Sequence, residues 1–114
     1  MQTLLLGPDD VREYADLPSV IDAVAAAFAA DARDNTIMPA KSYIDLPEYN
    51  GDFRSMPAYV HAGDWDAAAV KWVNVHPDNP SDHDLPTVLG TLIYSDPETA
   101  VPLAVMDGTN LTRL

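Results

Sequence analysis

The chain has 114 residues, a formal net charge of −12 and no cysteine. This length suits one domain with a single hydrophobic core. The lack of cysteine excludes disulfides, thiolate catalysis and cysteine-type zinc sites. The acidic charge argues against nucleic acid or anionic lipid as partners. Because the acids are dispersed and lysine is scarce, the composition favours a protein that works at high salt over an ordinary acidic bacterial protein.

The start of the chain predicts no targeting segment. Residues 1–7 lack the basic region and the long apolar run of a signal peptide. No segment reaches the roughly 18 consecutive apolar residues of a membrane span. We therefore expect a soluble, cytoplasmic protein that does not contact a membrane.

The first third of the chain is predicted to form a short strand and two helices. The strand covers residues 3–6, and a glycine-proline pair followed by two aspartates then begins a short helix. The main helix is predicted over residues 17–33. Its larger apolar side chains, which share one face at helical spacing, are Val20, Ile21, Val24 and Phe28.

Period-two alternation then predicts five strands separated by proline-rich or polar turns. They lie at residues 42–46, 52–60, 69–75, 87–94 and 102–106. This order predicts an α+β fold with helices packed on a largely antiparallel or mixed sheet. Residues 107–114 look like the cap and first turn of a further helix. One turn is not stable alone, so we interpret residues 1–114 as a fragment of a longer protein.

Three of the six cations lie in or beside apolar strands: Lys41, Arg54 and Lys71. Burying a cation is costly unless it pairs with an anion. We therefore predict a pocket for a small anionic molecule such as an α-amino or α-keto acid, with Lys71 as a general acid or base. The alternative is that each cation pairs with an acid of the chain, for instance Lys41 with Asp45 and Arg54 with Asp52.

Two other features leave alternatives open. Thr87 is either a β-branched strand residue or a hydroxyl that faces the pocket. The loop over residues 76–84 contains two histidines and three aspartates, which could bind a divalent metal. Because its spacing matches no known metal motif, we favour a solvated loop and predict no metal site. The chain also lacks a glycine-rich phosphate loop, so we predict no nucleotide site within it.

Several segments resemble the ornithine cyclodeaminase/mu-crystallin family, which includes archaeal-type alanine dehydrogenases. The matching segments are Ile37-Met38-Pro39-Ala40-Lys41, Phe53-Arg54-Ser55-Met56-Pro57-Ala58-Tyr59, Val70-Lys71-Trp72-Val73-Asn74-Val75-His76-Pro77, Leu85-Pro86-Thr87-Val88, and Pro102-Leu103-Ala104-Val105-Met106-Asp107-Gly108-Thr109. They occur in family order over essentially the whole chain.

The resemblance implies a substrate-binding and dimerisation domain over residues 1–114, cut before a Rossmann domain that binds NAD or NADP. It implies Lys71 as the catalytic lysine, and Lys41 and Thr87 as substrate-binding residues. It also implies a homodimer, an amino-acid or keto-acid substrate, and no activity for the fragment alone.

One position narrows the substrate that the resemblance implies. Ornithine cyclodeaminases carry an acid where this chain has Arg54, which would repel the distal ammonium of ornithine. With Arg54 as a further substrate-binding residue, we favour a haloarchaeal alanine dehydrogenase-like enzyme that converts alanine to pyruvate and ammonia through an imine. The alternatives are an ornithine cyclodeaminase, a ketimine or pyrroline-carboxylate reductase, and a non-catalytic ligand-binding protein like mu-crystallin.

Overall fold

A computed structural model describes residues 1–114 and confirms the α+β fold. The strands are β1 (Leu4–Leu6), β2 (Thr36–Ile37), β3 (Ser42–Leu46), β4 (Gly51–Ala62), β5 (Trp65–Val75), β6 (Gly90–Ser95) and β7 (Pro102–Asp107). The helices are α1 (Pro8–Tyr14), α2 (Leu17–Ala32), α3 (Asn79–His83) and α4 (Gly108–Arg113), and a 3-10 turn covers Pro47–Tyr49. No helix is both long and apolar enough to cross a membrane.

All seven strands belong to one mixed sheet. Its order is β1-β7-β6-β5-β4-β2, and β3 pairs with another part of β4. Only β1 and β7 run parallel, and every other pair is antiparallel. The long β4–β5 hairpin forms the middle of the sheet and turns at Gly63, which has a positive φ of 59°. Glycine suits this turn because it adopts a positive φ without steric cost.

The two faces of the sheet differ in how they are covered. The face that carries Lys71, which we call the covered face, includes the buried Val73 and Ala104. Helix α4 lies on this side, and α1 contacts both α4 and β7. The opposite face, which we call the open face, carries large apolar side chains that remain accessible to solvent. These are Leu5, Ile37, Ile44, Trp72 and Ile93.

The structure lengthens some predicted strands and shortens another. The β4–β5 hairpin extends into the alanine-rich stretch around residue 67, because cross-strand pairing there outweighs the weak strand preference of alanine. Strand β6 begins at Gly90 rather than at Thr87. Residues 79–83 form the short helix α3 where the sequence predicted only a turn, and the two-residue strand β2 was not predicted.

The main helix also differs from the expected amphipathic helix. Ile21, Val24 and Phe28 are 57%, 47% and 72% exposed, whereas Ala30 is buried. Helix α2 contacts the interior strand β4 and the edge strand β2 while these large side chains stay exposed. Helical spacing identified its apolar face correctly but did not reveal which face meets the sheet.

Candidate functional site

Lys71 lies in the middle of the covered face. Strand pairing places it opposite Met56 of β4 and Leu92 of β6, which confirms the predicted alternation along β5. Its ammonium donates a hydrogen bond to the hydroxyl of Thr112 in α4, with Nζ and Oγ1 3.2 Å apart. Lys71 forms no ion pair, although the chain contains 18 carboxylates. Its charge therefore remains available to a bound anion.

Three contacts hold helix α4 at the end of β7. The Asp107 carboxylate caps the helix by accepting hydrogen bonds from the backbone amides of Thr109 and Asn110 at 3.1 and 3.0 Å. The Gly90 amide donates to Thr109 Oγ1 at 3.0 Å. A Cβ atom on Gly108 would lie 2.9 Å from the backbone of Gly90, so the two glycines allow the helix to touch β6.

The Asp107 cap is electrostatically favourable despite its partial burial. Desolvation pushes the pKa of Asp107 upward, but hydrogen bonds from Asn110 and Thr109 overcome this effect and bring the pKa below its ordinary value. The cap is therefore a charged carboxylate at neutral pH. It fixes the start of the helix that carries Thr112.

Arg54 lies on the same face as Lys71 but has an acidic partner. Its Nε and Nη2 each donate to the Asp52 carboxylate at 2.9 Å. These hydrogen bonds lower the pKa of Asp52 and raise that of Arg54. The alternative pairing weighed for Arg54 is thus present in the structure, and only Nη1 remains unused by Asp52. As a substrate-binding residue, Arg54 remains a prediction.

Lys41 and Arg54 meet through the ring of Tyr43. Tyr43 lies directly opposite Arg54 across the β3–β4 pair. Its ring centroid lies 5.1 Å from Arg54 Cζ and 5.9 Å from Lys41 Nζ, which is within the range of cation–π attraction. Lys41 is exposed and forms no ion pair, so the pairing with Asp45 that we considered is absent.

Strand register brings the two cationic groups close together. Arg54 lies two residues from Met56, the direct partner of Lys71, so Arg54 and Lys71 are diagonal neighbours on one face. Such neighbours are about 7–8 Å apart, a separation that two groups of one small ligand can span. The register therefore places Arg54 and Lys71 on one face, as the predicted pocket requires.

Thr87 lies in the segment before β6 rather than inside that strand. Its carbonyl accepts hydrogen bonds from the His76 amide at 2.8 Å and from Asn74 Nδ2 at 3.4 Å. Asn74 is buried, and its Oδ1 also accepts from the Leu89 amide at 2.7 Å. Thr87 and Thr112 line the same cavity of about 370 Å³. Thr87 therefore lies close to helix α4, whose Thr112 accepts the hydrogen bond from Lys71.

In the loop over residues 76–84, His76 contacts neighbouring side chains of the sheet. His76 Nδ1 lies 2.6 Å from Asn74 Nδ2, and the ring packs edge-on against Phe53. A Cβ atom at Gly51 would lie 2.6 Å from this ring, so glycine makes room for it. The structure has no group of three or more His, Cys, Asp or Glu side chains that could hold a metal ion.

Carboxylates of the chain cap two of its four α-helices. The free amides of a helix N-terminus can bind phosphate. In α2 the Asp16 carboxylate accepts from the Ser19 amide, and in α4 the Asp107 carboxylate accepts from the Thr109 and Asn110 amides. These two N-termini are therefore already occupied, and we assign no dinucleotide-binding role to the described residues.

Comparison with known sequences and structures identifies the class of protein. The chain belongs to the Ornithine cyclodeaminase/mu-crystallin family, whose profile matches residues 1–114. It is 41% identical to an alanine dehydrogenase from Archaeoglobus fulgidus, over 100% of this chain and 33% of that protein. It is 30% identical to an N-((2S)-2-amino-2-carboxyethyl)-L-glutamate dehydrogenase from Staphylococcus aureus, over 99% of this chain and 35% of that protein.

Solved structures agree with this assignment. An archaeal alanine dehydrogenase dimer with bound NAD matches with a TM-score of 0.87 and 41% identity, over 98% of this chain and 33% of that chain. A Thermococcus litoralis Delta(1)-pyrroline-2-carboxylate reductase in complex with NADH and L-proline matches with a TM-score of 0.89 and 34% identity, over 96% and 33% of the two chains. The chain thus spans 33–35% of the length of these relatives.

Three contributors to the site were not singled out from the sequence. Tyr43 could have been found, because it lies two residues after Lys41 in a strand of period two. Thr112 gave no signal, since its contact with Lys71 depends on how α4 docks. Asn74 lies in the strand that carries Lys71, but nothing local indicated that its side chain binds the Thr87 segment.

Proposed function

We propose that these residues form the substrate-binding domain of an amino-acid dehydrogenase that converts alanine to pyruvate and ammonia. The observation that carries this proposal is the unpaired Lys71 ammonium on the covered face, in a chain 41% identical to an alanine dehydrogenase. An unpaired cation in a half-buried site is costly unless a ligand supplies the missing anion. A small amino or keto acid has the required carboxylate.

Each predicted site residue has a role in this proposal. Lys41 and the remaining Nη1 of Arg54 bind the substrate carboxylate, and the Thr87 hydroxyl adds a neutral contact. Lys71 exchanges a proton at the substrate nitrogen or at the water that attacks the imine. NAD or NADP would supply the hydride acceptor for the α-carbon, and we place its site in a Rossmann domain beyond residue 114.

The direct test uses the full-length protein with NAD and L-alanine. We expect NADH formation together with pyruvate and ammonia, and the reverse reaction from pyruvate, ammonia and NADH. Residues 1–114 alone should be inactive, because we place the dinucleotide site in the Rossmann domain that follows them. Binding of alanine without turnover would instead favour the non-catalytic, mu-crystallin-like alternative.

A cyclodeaminase is the second candidate, and the Arg54–Asp52 pair is the observation that favours it. Arg54 was expected to repel the distal ammonium of ornithine, but its bidentate ion pair with Asp52 cancels much of that repulsion. The chain is also 31% identical to a lysine cyclodeaminase structure that matches with a TM-score of 0.80. Formation of proline from ornithine, with no NADH accumulating from alanine, would select this function.

A cyclic-imine reductase is tested in the same experiment. The Thermococcus litoralis reductase shares 34% identity with this chain. A substrate of this class has a carboxylate beside a ring imine, so it presents the same anion to Lys41 and Arg54, and its imine nitrogen to Lys71, without a distal ammonium. Oxidation of NADH by pyrroline-2-carboxylate, without activity on pyruvate and ammonia, would support it.

We also propose a homodimer in the cytoplasm of a salt-tolerant cell. The apolar side chains of the open face and the dimeric archaeal alanine dehydrogenase support the homodimer. The net charge of −12 supports work at high salt. Light scattering of the full-length protein should give twice the protomer mass, and Ile44→Asp on the open face should shift it towards the monomer. A wild-type monomer would contradict the dimer.

A further inference from the structure

The contact between Lys71 and Thr112 assigns a specific task to a helix residue outside the predicted site. Thr112 Oγ1 accepts a hydrogen bond from Lys71 Nζ at 3.2 Å. The same hydroxyl donates its own proton to the Gly108 carbonyl at 2.6 Å. A hydroxyl has one proton, so this donation leaves only its lone pairs to face Lys71. The acceptor is therefore oriented towards the ammonium by the helix itself.

The helix that carries Thr112 is fixed on the sheet. Gly108, whose carbonyl orients the hydroxyl, is buried and lies against the backbone of Gly90. The Asp107 cap and the bond from the Gly90 amide to Thr109 hold the first turn. Because the start of the helix is fixed, the position of the hydroxyl one turn later is fixed as well.

A neutral acceptor acts on Lys71 differently from a carboxylate. An ammonium has three donors, and Thr112 uses one of them, which leaves two for a ligand. The hydroxyl removes none of the positive charge, whereas Asp52 neutralises Arg54 on the neighbouring strand. We propose that Thr112 is the positioning residue of Lys71: it directs the ammonium towards α4 and leaves its charge and two donors free for the reacting amino acid. This inference rests on the proposed function.

The test compares Thr112→Val and Thr112→Ser in the full-length enzyme with the amino acid that it oxidises. Valine keeps the shape of threonine but removes the acceptor, whereas serine keeps the hydroxyl. We expect Thr112→Val to lower kcat about tenfold, the value of one hydrogen bond to a charged group, with little change in the KM for NAD. Thr112→Ser should recover most of the loss.

Thr36→Val is the matched control. Thr36 donates a hydroxyl hydrogen bond to Asp31 near the edge strand β2, away from Lys71. This variant loses a threonine hydroxyl and its hydrogen bond, and it should keep wild-type kcat. Equal losses in Thr112→Val and Thr112→Ser, or wild-type kcat in Thr112→Val, would overturn the inference.

A second readout does not depend on turnover. Acetic anhydride labels accessible lysine amines, and mass spectrometry reports the labelling rate of each peptide. We expect Lys71 to react about tenfold faster in Thr112→Val than in wild type, because the amine is no longer held by the hydroxyl. Lys41 on the same face should react at an unchanged rate. Unchanged labelling of Lys71 would refute the positioning role, and an inactive wild-type enzyme with altered labelling would refute only the proposed function.

Discussion

Lys71 and Arg54 are diagonal neighbours on one face of the sheet, but only Arg54 is paired with a carboxylate. Arg54 donates two hydrogen bonds of 2.9 Å to Asp52, so the pair has no net charge. Lys71 donates one bond to a neutral hydroxyl and keeps its full charge. The same sequence feature, a cation in an apolar strand, has thus produced one internal ion pair and one free cation.

The difference in pairing between Lys71 and Arg54 indicates where an anionic ligand is attracted most strongly. A free ammonium attracts an anion over several ångströms, whereas an ion pair attracts it only through the donors that the acid leaves unused. We therefore expect Lys71 to dominate the chemistry and the Lys41–Tyr43–Arg54 group to adjust affinity. Substitutions of Lys71, Arg54 and Tyr43 should separate these two roles.

Replacement of Lys71 should have the largest effect. In the full-length enzyme, Lys71→Ala should lower kcat by about 10²- to 10⁴-fold, because it removes the only proton-exchanging group that we assign to the site. Its thermal transition should stay close to wild type, since Lys71 forms no ion pair. Arg33→Ala, which removes an exposed cation after helix α2, is the control and should retain activity. Near-native turnover of Lys71→Ala would refute the catalytic role.

Replacement of Arg54 should have a smaller effect, and mainly on KM. Arg54→Gln removes the charge and should raise the KM for the amino acid about tenfold while kcat changes little, since a charged hydrogen bond to the carboxylate is lost. It also leaves Asp52 without its partner, which should lower stability. If stability falls while KM stays unchanged, Arg54 serves the fold alone and the substrate carboxylate is held elsewhere.

The acidic partner of Arg54 should make stability depend on pH. The hydrogen bonds from Arg54 lower the pKa of folded Asp52 below its ordinary value of 3.8. Its contribution is therefore fully present above that value and is lost as the pH falls through the lower folded pKa. We expect the urea midpoint of the wild type to fall more steeply under acid than that of Asp52→Asn. Asp64→Asn, in the hairpin turn, should behave as wild type; parallel curves for wild type and Asp52→Asn would contradict the role of the pair.

The sequence predicted the covered face better than the contacts on it. The predicted strand over residues 69–75 forms in β5, and its alternation puts Lys71, Val73 and Val75 on one face, because a strand fixes side-chain direction through its geometry alone. The choice of partner for each cation is not local. Asp52 is two residues from Arg54 and was foreseen as one alternative, whereas Thr112 is 41 residues from Lys71 and meets it only through the docking of α4.

Helix α2 and the Thr87 segment show the same limit. Ile21, Val24 and Phe28 share a face by spacing, but spacing does not tell which neighbour covers that face, and here it is exposed. Thr87 is β-branched, and such residues favour strands. The buried amide of Asn74 instead binds the Thr87 carbonyl and the Leu89 amide and keeps this segment outside the β6 ladder. Buried polar groups of this kind outweigh strand propensity because leaving them unpaired is costly.

Replacement of Tyr43 should have the smallest effect, and it tests whether Lys41 and Arg54 act as one group. Tyr43→Leu keeps an apolar side chain but removes the ring that lies within 6 Å of both cations. We expect the KM for the amino acid to rise about two- to fivefold with kcat unchanged, since an exposed cation–π contact contributes about 0.5–1 kcal/mol. Tyr43→Phe keeps the ring and should match wild type. A loss in Tyr43→Phe would show that the hydroxyl, rather than the ring, is what the substrate contacts, and Lys41 and Arg54 would then not act as one group through Tyr43.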